Sequence, residues 1–246
     1  MSISKEKKVN TVFIGYDPKE KVAAQVLKYL IEANSPKDII VKFLRKDILE
    51  HMNMFNRPYE MVNNQMIDSI DQKPFSTEFT FTRFLVPALM QYEGWALFMD
   101  CDMLMKADIS ELWALRDDRY AVQVAKHDYI PKEKTKFLGQ EQTIYPRKNW
   151  SSFMLMNCRK CTTLTSDFVN TSTGSQLHQF KWIDDDNLIG DIPLEWNWLV
   201  GEYEKKDGIK NLHYTKGGPY FKNYANCDYS SDWFNEYTNT VKIEIE

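Results

Sequence analysis

Trp95-Ala-Leu-Phe-Met-Asp-Cys-Asp102 is the stretch that decides the fold. Trp95 to Met99 is apolar at every position, so no alternation marks a solvent-facing side. Such a run reads as a strand covered on both faces, the kind found in the middle of a parallel sheet. It stops abruptly at two carboxylates one residue apart. Ligands of α/β folds bind beyond the carboxyl ends of the strands, so Asp100 and Asp102 are expected at a binding edge.

Working outward, Thr11-Val-Phe-Ile-Gly-Tyr16 reads as a first strand ending at Asp17-Pro18. A helix is predicted from Pro18 to Asn34, with Val22, Val26, Leu27, Leu30 and Ile31 on one stripe. Ile39 to Leu44 is a second strand, completing a β-α-β opening. Glu78 to Tyr92 reads as a helix despite Pro87, closed by Gly94. Beyond the carboxylates come a short helix from Asp108, a strand from Tyr120 to Ala125 and a polar stretch, Lys126 to Lys148. Inside a compact domain so long a loop is expected to be functional or mobile, and it is the expected contributor to an acceptor pocket. Ser152 to Asn157 resumes a strand, and a polar helix precedes Asp184. The run Ile192-Pro-Leu-Glu-Trp-Asn-Trp-Leu199 and the segment Asn211 to Pro219 follow. No repeat or linker divides the chain. The expectation is one α/β domain over residues 1–246, with a mixed, mostly parallel sheet flanked by helices.

The composition is that of a globular protein, 43% apolar with 7 tryptophans and 13 tyrosines. A formal charge of −4 argues against a nucleic-acid binder, which needs a basic surface. No stretch approaches the roughly 20 apolar residues that span a bilayer. Met1 to Asn10 is polar and lacks the apolar core of a signal peptide, so a cytoplasmic location is expected. Cys158 and Cys161 form a lone CxxC without a second pair to complete a zinc site, and read as reduced thiols near a strand end.

Two carboxylates just past a strand end can both face a divalent cation, which can in turn bridge two phosphates. Transfer of a sugar from a nucleotide diphosphate needs that arrangement, because the leaving group gathers charge as the bond breaks. His213 precedes Gly217 and Gly218 and can add a nitrogen ligand while the glycine loop wraps phosphate oxygens. The mixed set Asp100, Asp102 and His213 suits Mn²⁺, with Mg²⁺ as the other choice. A side chain in place of Gly218 is expected to harm ligand binding while sparing the stability of the free protein. Trp196 and Trp198 read either as core or as a sugar-stacking platform. An extended Trp-Asn-Trp puts both indoles on one side and Asn197 on the other.

Thr82-Arg-Phe-Leu-Val-Pro87, Phe98-Met-Asp-Cys-Asp-Met-Leu104 and His213-Tyr-Thr-Lys-Gly-Gly-Pro219 occur in the order of a known family. From about Val9 to Phe221 the chain resembles the family-eight retaining glycosyltransferases, the group of glycogenin and bacterial lipooligosaccharide galactosyltransferases. The resemblance implies a GT-A fold, a nucleotide-sugar donor that is usually UDP-linked, and a Mn²⁺ site made by Asp100, Asp102 and His213. It places Gly15, Tyr16 and Asp17 at the nucleotide base, Arg83 against the donor, Asp100 also at the ribose, and Gly217 and Gly218 at the diphosphate. Ser151 and Ser152 fall where the family often runs Asn-Ala-Gly below the sugar. Asp184-Asp185-Asp186-Asn187 stands where the family has an Asp-Gln pair near the anomeric carbon, so that role falls to Asp185 or Asp184. Lys216 precedes the position of the family's lysine and is given no role. The implied activity is transfer of a hexose to an acceptor hydroxyl with retention.

Two rival readings have their own discriminators. A haloacid-dehalogenase-type phosphatase carries its Asp-x-Asp after the first strand, not at residue 100. A non-catalytic nucleotide-sugar or glycan-binding module of the same fold is separated from an enzyme only by turnover.

Overall fold

A computed structural model describes residues 10–36, 38–128, 135–136, 140–141 and 146–245. The polar leader 1–9 and the middle of the stretch 126–148 lie outside the described residues, and so do the expectations placed on them. The chain opens with β1 (Asn10–Gly15), a 3₁₀ turn over Pro18–Glu20, α1 (Lys21–Asn34) and β2 (Ile39–Leu44). Next come α2 (Lys46–His51) and a hairpin, β3 (Tyr59–Val62) with β4 (Gln65–Asp68). They lead to α3 (Val86–Leu89), β5 (Trp95–Met99), β6 (Met103–Met105), α4 (Ser110–Trp113) and β7 (Val122–Val124). The two-residue strands β8 (Thr135–Lys136) and β9 (Gln140–Glu141) pair with each other before β10 (Phe153–Asn157). Then follow α5 (Ser166–Thr171), α6 (Gly174–His178), β11 (Ile189–Asp191), β12 (Trp198–Leu199), β13 (Asn211–His213) and α7 (Ser230–Ile245).

Six strands form the central sheet in the order β11-β7-β10-β5-β1-β2. Only β10 runs against its neighbours, so the carboxyl ends of the other strands and the start of β10 share one edge. β5 sits in the interior, and Ala96, Leu97, Phe98 and Met99 are wholly buried, as its unbroken apolar run demands. On the apolar stripe of α1, Val26, Leu27, Leu30 and Ile31 are buried and Val22 is half-buried. A second sheet, β12-β13-β6, pairs β13 antiparallel to β6 with His213 opposite Met103. That register brings residue 213 beside the Asp-Cys-Asp turn.

The helix expected over Glu78 to Tyr92 is replaced by a 3₁₀ turn, Thr82–Leu85, and one α-turn, Val86–Leu89. Pro87 has no N–H to give the carbonyl of Arg83, and it takes an early position of α3 instead. At the other end Gln91 and Tyr92 adopt left-handed φ values of 52° and 55° and stop the chain from coiling further. Trp196 likewise departs from expectation. It closes a 3₁₀ turn, Leu194–Trp196, so the Trp-Asn-Trp segment is not extended throughout. Both indoles are buried, as core residues are. The four cysteines are free thiols. Burial pushes the Cys158 thiol up to about 12, far from a reactive thiolate. Among the described residues no helix is long and apolar enough to cross a membrane.

A buried ion pair ties the hairpin to the rest. Arg57 Nε and Nη2 bond Asp68 at 2.7 and 2.8 Å, and both side chains are fully shielded. Arg57 Nη1 reaches the carbonyls of Val169 and Ser172 on α5 and its end, and the guanidinium lies 3.8 Å from the Phe81 ring centre. Burial alone would raise the Asp68 carboxyl; hydrogen bonds from Arg57 and Asp71 outweigh it and hold the group below the ordinary aspartate value. Asp68→Ala leaves the Arg57 charge buried and unpaired, which costs about 3–5 kcal/mol of stability in chemical denaturation. Replacing both partners with apolar residues of similar size recovers most of that loss. Because the carboxyl is depressed, its contribution is present above the unfolded aspartate value and disappears as pH falls through the folded one.

Candidate active site

The sheet edge carries a compact set of side chains. Asp100, Asp102 and His213 each offer a ligand atom, and these atoms lie within 4.8 Å of one another. Backbone bonds fix the three segments: Asp100 N–H donates to the Ser152 carbonyl at 2.9 Å, and Tyr214 N–H to the Asp102 carbonyl at 2.9 Å. Asp102 Oδ1 is buried, accepts no hydrogen bond and lies 3.3 Å from His213 Nε2. His213 Nδ1 is 2.8 Å from Asn197 Oδ1, so that nitrogen carries the proton and Nε2 presents a lone pair when the ring is neutral. A lone pair facing a carboxylate oxygen favours a cation between them, a proton or a metal ion. The donor set fits a divalent ion with mixed oxygen and nitrogen ligands.

Arg83 sits in the 3₁₀ turn, buried, with its guanidinium near the Phe79 and Phe98 rings. Its Nη1 pairs with Asp100 Oδ1 at 2.9 Å and donates to the Ser151 carbonyl at 2.9 Å, while Nε donates to the Phe79 carbonyl. Arg83 and Asp100 thus arrive together, a pairing that the sequence pattern did not specify. Ser151 Oγ meets His178 Nδ1 at 2.7 Å, and His178 is edge-on to Phe84.

At the end of β1, a Cβ on Gly15 would lie 2.5 Å from the Phe79 ring, so only glycine fits there. Tyr16 packs on Phe43 beneath the Arg45 guanidinium. Asp17 is buried and accepts from Lys19 N–H and Glu78 N–H, joining the two loops that flank the edge. On the opposite loop, Gly217 has φ 121° and donates its N–H to the Tyr214 carbonyl. Added Cβ atoms at Gly217 and Gly218 would lie 2.7 Å from the Tyr224 ring and 2.2 Å from the Tyr220 ring. The expectation that a side chain at 218 spares the free protein is therefore corrected, since tyrosine rings already occupy the space above the glycines. Lys216 turns to the Gly201 carbonyl and Glu202.

Asp184 and Asp185 are exposed. Asp185 caps the 3₁₀ turn that follows by accepting from Asn187 N–H, and Asp186 pairs with Arg147. None of the three bonds to the Asp100–Asp102–His213 cluster among the described residues.

Residues the sequence did not single out complete the site. Glu20 ends the Pro18–Glu20 turn, where an acid reads as an exposed helix-start residue, yet it is 3% exposed. Burial first, then the Asp102 charge, raises its carboxyl well above the ordinary value, and the Tyr220 hydroxyl donates to it. His127, in the stretch that read as irregular, is buried with Nδ1 2.8 Å from the Tyr203 hydroxyl. Burial and the neighbouring His213 push it down to about 3, so it is neutral at physiological pH. Asn197 was placed apart from the indoles, but nothing in the sequence marks it as a partner of His213.

The raised Glu20 carboxyl fixes a sign for pH dependence. The folded state holds a proton that the unfolded state gives up, so stability present below the ordinary glutamate range is lost as pH rises through the folded value. In metal-free protein, Glu20→Gln keeps an acceptor for Tyr220 and removes this loss. Melting curves across pH 4–8, an interval set by the ordinary glutamate value of about 4.3, should show the variant gaining on the wild type as pH rises. Parallel curves would show that Glu20 is ionised at no cost.

Comparison with known proteins agrees with the geometry. The chain is 42% identical over 240 residues to "Protein CDI" of Arabidopsis thaliana, covering 95% of this chain and 88% of that one. The fold resembles that of the glycosyltransferase GlyE from Streptococcus pneumoniae, with a TM-score of 0.58 at 13% identity. That match covers 94% of this chain, which spans only 60% of the GlyE chain. An active-site mutant of LgtC matches with a TM-score of 0.51 at 10% identity, over 94% of this chain and 95% of that one. These likenesses establish the GT-A-type architecture. The model of glycosyl transferase family 8 matches residues 3–215, and the chain belongs to that family of glycosyltransferases.

Proposed function

We propose that this glycosyltransferase moves a hexose from a nucleotide diphosphate sugar, UDP-linked, to an acceptor hydroxyl with retention, aided by a divalent cation. The cluster of Asp100, Asp102 and His213, with its buried, unbonded Asp102 oxygen, carries the reading. These three residues would hold Mn²⁺ or Mg²⁺, which when bound neutralises charge on the departing diphosphate. Arg83 holds Asp100 in place and presents its remaining donors toward the donor substrate. Gly15, Tyr16 and Asp17 form the base side of the cleft, with the Tyr16 ring and Arg45 as its aromatic and cationic wall. Gly217 and Gly218 form the diphosphate side, which requires Tyr220 and Tyr224 to yield as the donor enters. Asp185, or Asp184, is the carboxylate assigned beneath the anomeric carbon, and both are open to solvent. Residues 1–246 act as one domain. The free, buried thiols support a reducing compartment such as the cytoplasm.

Calorimetry with UDP tests the metal link. Affinity should fall sharply after exhaustive chelation and return with Mn²⁺; equal affinity in both conditions rules the bridging ion out. Asp102→Asn removes a charged ligand, and turnover should drop at least roughly 10²-fold with the melting temperature little changed. Near-normal donor hydrolysis in that variant would make Asp102 a structural residue. UDP-sugar binding without any transfer, across a broad acceptor panel, would instead favour a non-catalytic binding module.

A further inference from the structure

A one-way chain of hydrogen bonds starts behind His213, and its direction is set by groups that have no choice. The Asn149 carbonyl can only accept. It takes the single proton of the Ser152 hydroxyl at 2.6 Å. Ser152 Oγ must then accept from its other neighbour, and the Asn197 side-chain amide is 3.0 Å away. Asn197 Nδ2 is therefore the nitrogen on that side, which turns Oδ1 toward His213 Nδ1 at 2.8 Å. An amide oxygen cannot donate, so Nδ1 of His213 carries a proton, and in the neutral ring Nε2 carries none. Asn197 is completely buried and Ser152 nearly so, leaving water little access to scramble the order.

We infer that Asn197, oriented by Ser152, is a positioning residue that locks His213 in the Nδ1–H tautomer and aims its Nε2 lone pair at Asp102 Oδ1. The inference rests on the metal reading of the proposed function. Without the relay the ring is free to rotate or to move its proton to Nε2. The coordinating electron pair would then point away from the two carboxylates. Groups that orient a ligating histidine in this way typically carry 10–100-fold in metal affinity, by roughly that order.

Two measurements test it. Nitrogen-15 spectra of histidine-labelled, metal-free protein, with His213 assigned from the His213→Gln variant, should show the Nδ1–H tautomer. The Nε2–H form would overturn the inference whatever the metal does. Mn²⁺ affinity, read by electron paramagnetic resonance, should fall about 10–100-fold in Asn197→Leu. In Asn197→Asp, which still accepts from Nδ1, it should stay close to the wild type. Ser152→Ala should weaken Mn²⁺ binding in the same direction and mix the tautomers, and it serves as the deciding variant if Asn197→Leu does not fold. Unchanged Mn²⁺ affinity in folded Asn197→Leu and Ser152→Ala overturns the relay. Wild-type protein that binds no Mn²⁺ would refute the metal reading, while the tautomer spectrum still decides this one.

Discussion

Two backbone hydrogen bonds, from Asp100 N–H to the Ser152 carbonyl and from Tyr214 N–H to the Asp102 carbonyl, hold the site together. Each joins the Asp-Cys-Asp turn to a strand that is distant in sequence. The first extends the β5–β10 ladder by one residue, and the second extends the pairing of β13 with β6. Because side chains alternate along a strand, a slip of one residue in either ladder would turn a ligand away from its partners. The wholly buried faces of β5 and β10 make such a slip costly. Precision at the site is thus inherited from the packing of the core, with no disulfide needed.

The same packing collects acids. Asp17, Glu20, Asp100 and Asp102 converge on one edge, and Arg83 pairs directly with only one of them. Burial first, then the charges of its three neighbours, raises the Glu20 carboxyl. The structure meets the crowding in three ways. Asp17 accepts two backbone N–H groups, Asp100 takes the Arg83 guanidinium, and Glu20 is driven toward its neutral form. Asp102 keeps an unbonded oxygen facing His213. That oxygen belongs to the cluster of Asp100, Asp102 and His213, whose ligand atoms could hold a metal ion.

Much of this was legible in the residues themselves. β1, α1, β2, β5 and β10 follow from apolar periodicity because their burial is local and regular. Asp100 and Asp102 were legible as unusual residue types just past the end of β5, and His213 as a histidine shortly before paired glycines. The helix expected over 78–92 failed where Pro87 and the left-handed Gln91 and Tyr92 overrode a promising apolar pattern. Glu20, His127 and Asn197 were hidden for a different reason. Their roles depend on what lies against them from other elements, and single-chain spacing carries no signal of burial for an isolated polar residue.

The glycine loop shows how a motif can carry an incomplete expectation. Adjacent glycines permit a close backbone approach, but they do not say what approaches. In the free protein the approach is made by the rings of Tyr220 and Tyr224, and the Tyr220 hydroxyl is anchored to buried Glu20. The ring of Trp233 on α7 packs against Tyr220 from the far side. Filling the cleft with aromatic rings shields the crowded carboxylates and gives the loop a defined resting position. On the proposed function the glycines would serve two states of the same loop, leaving room for tyrosine rings in one and for phosphate oxygens in the other.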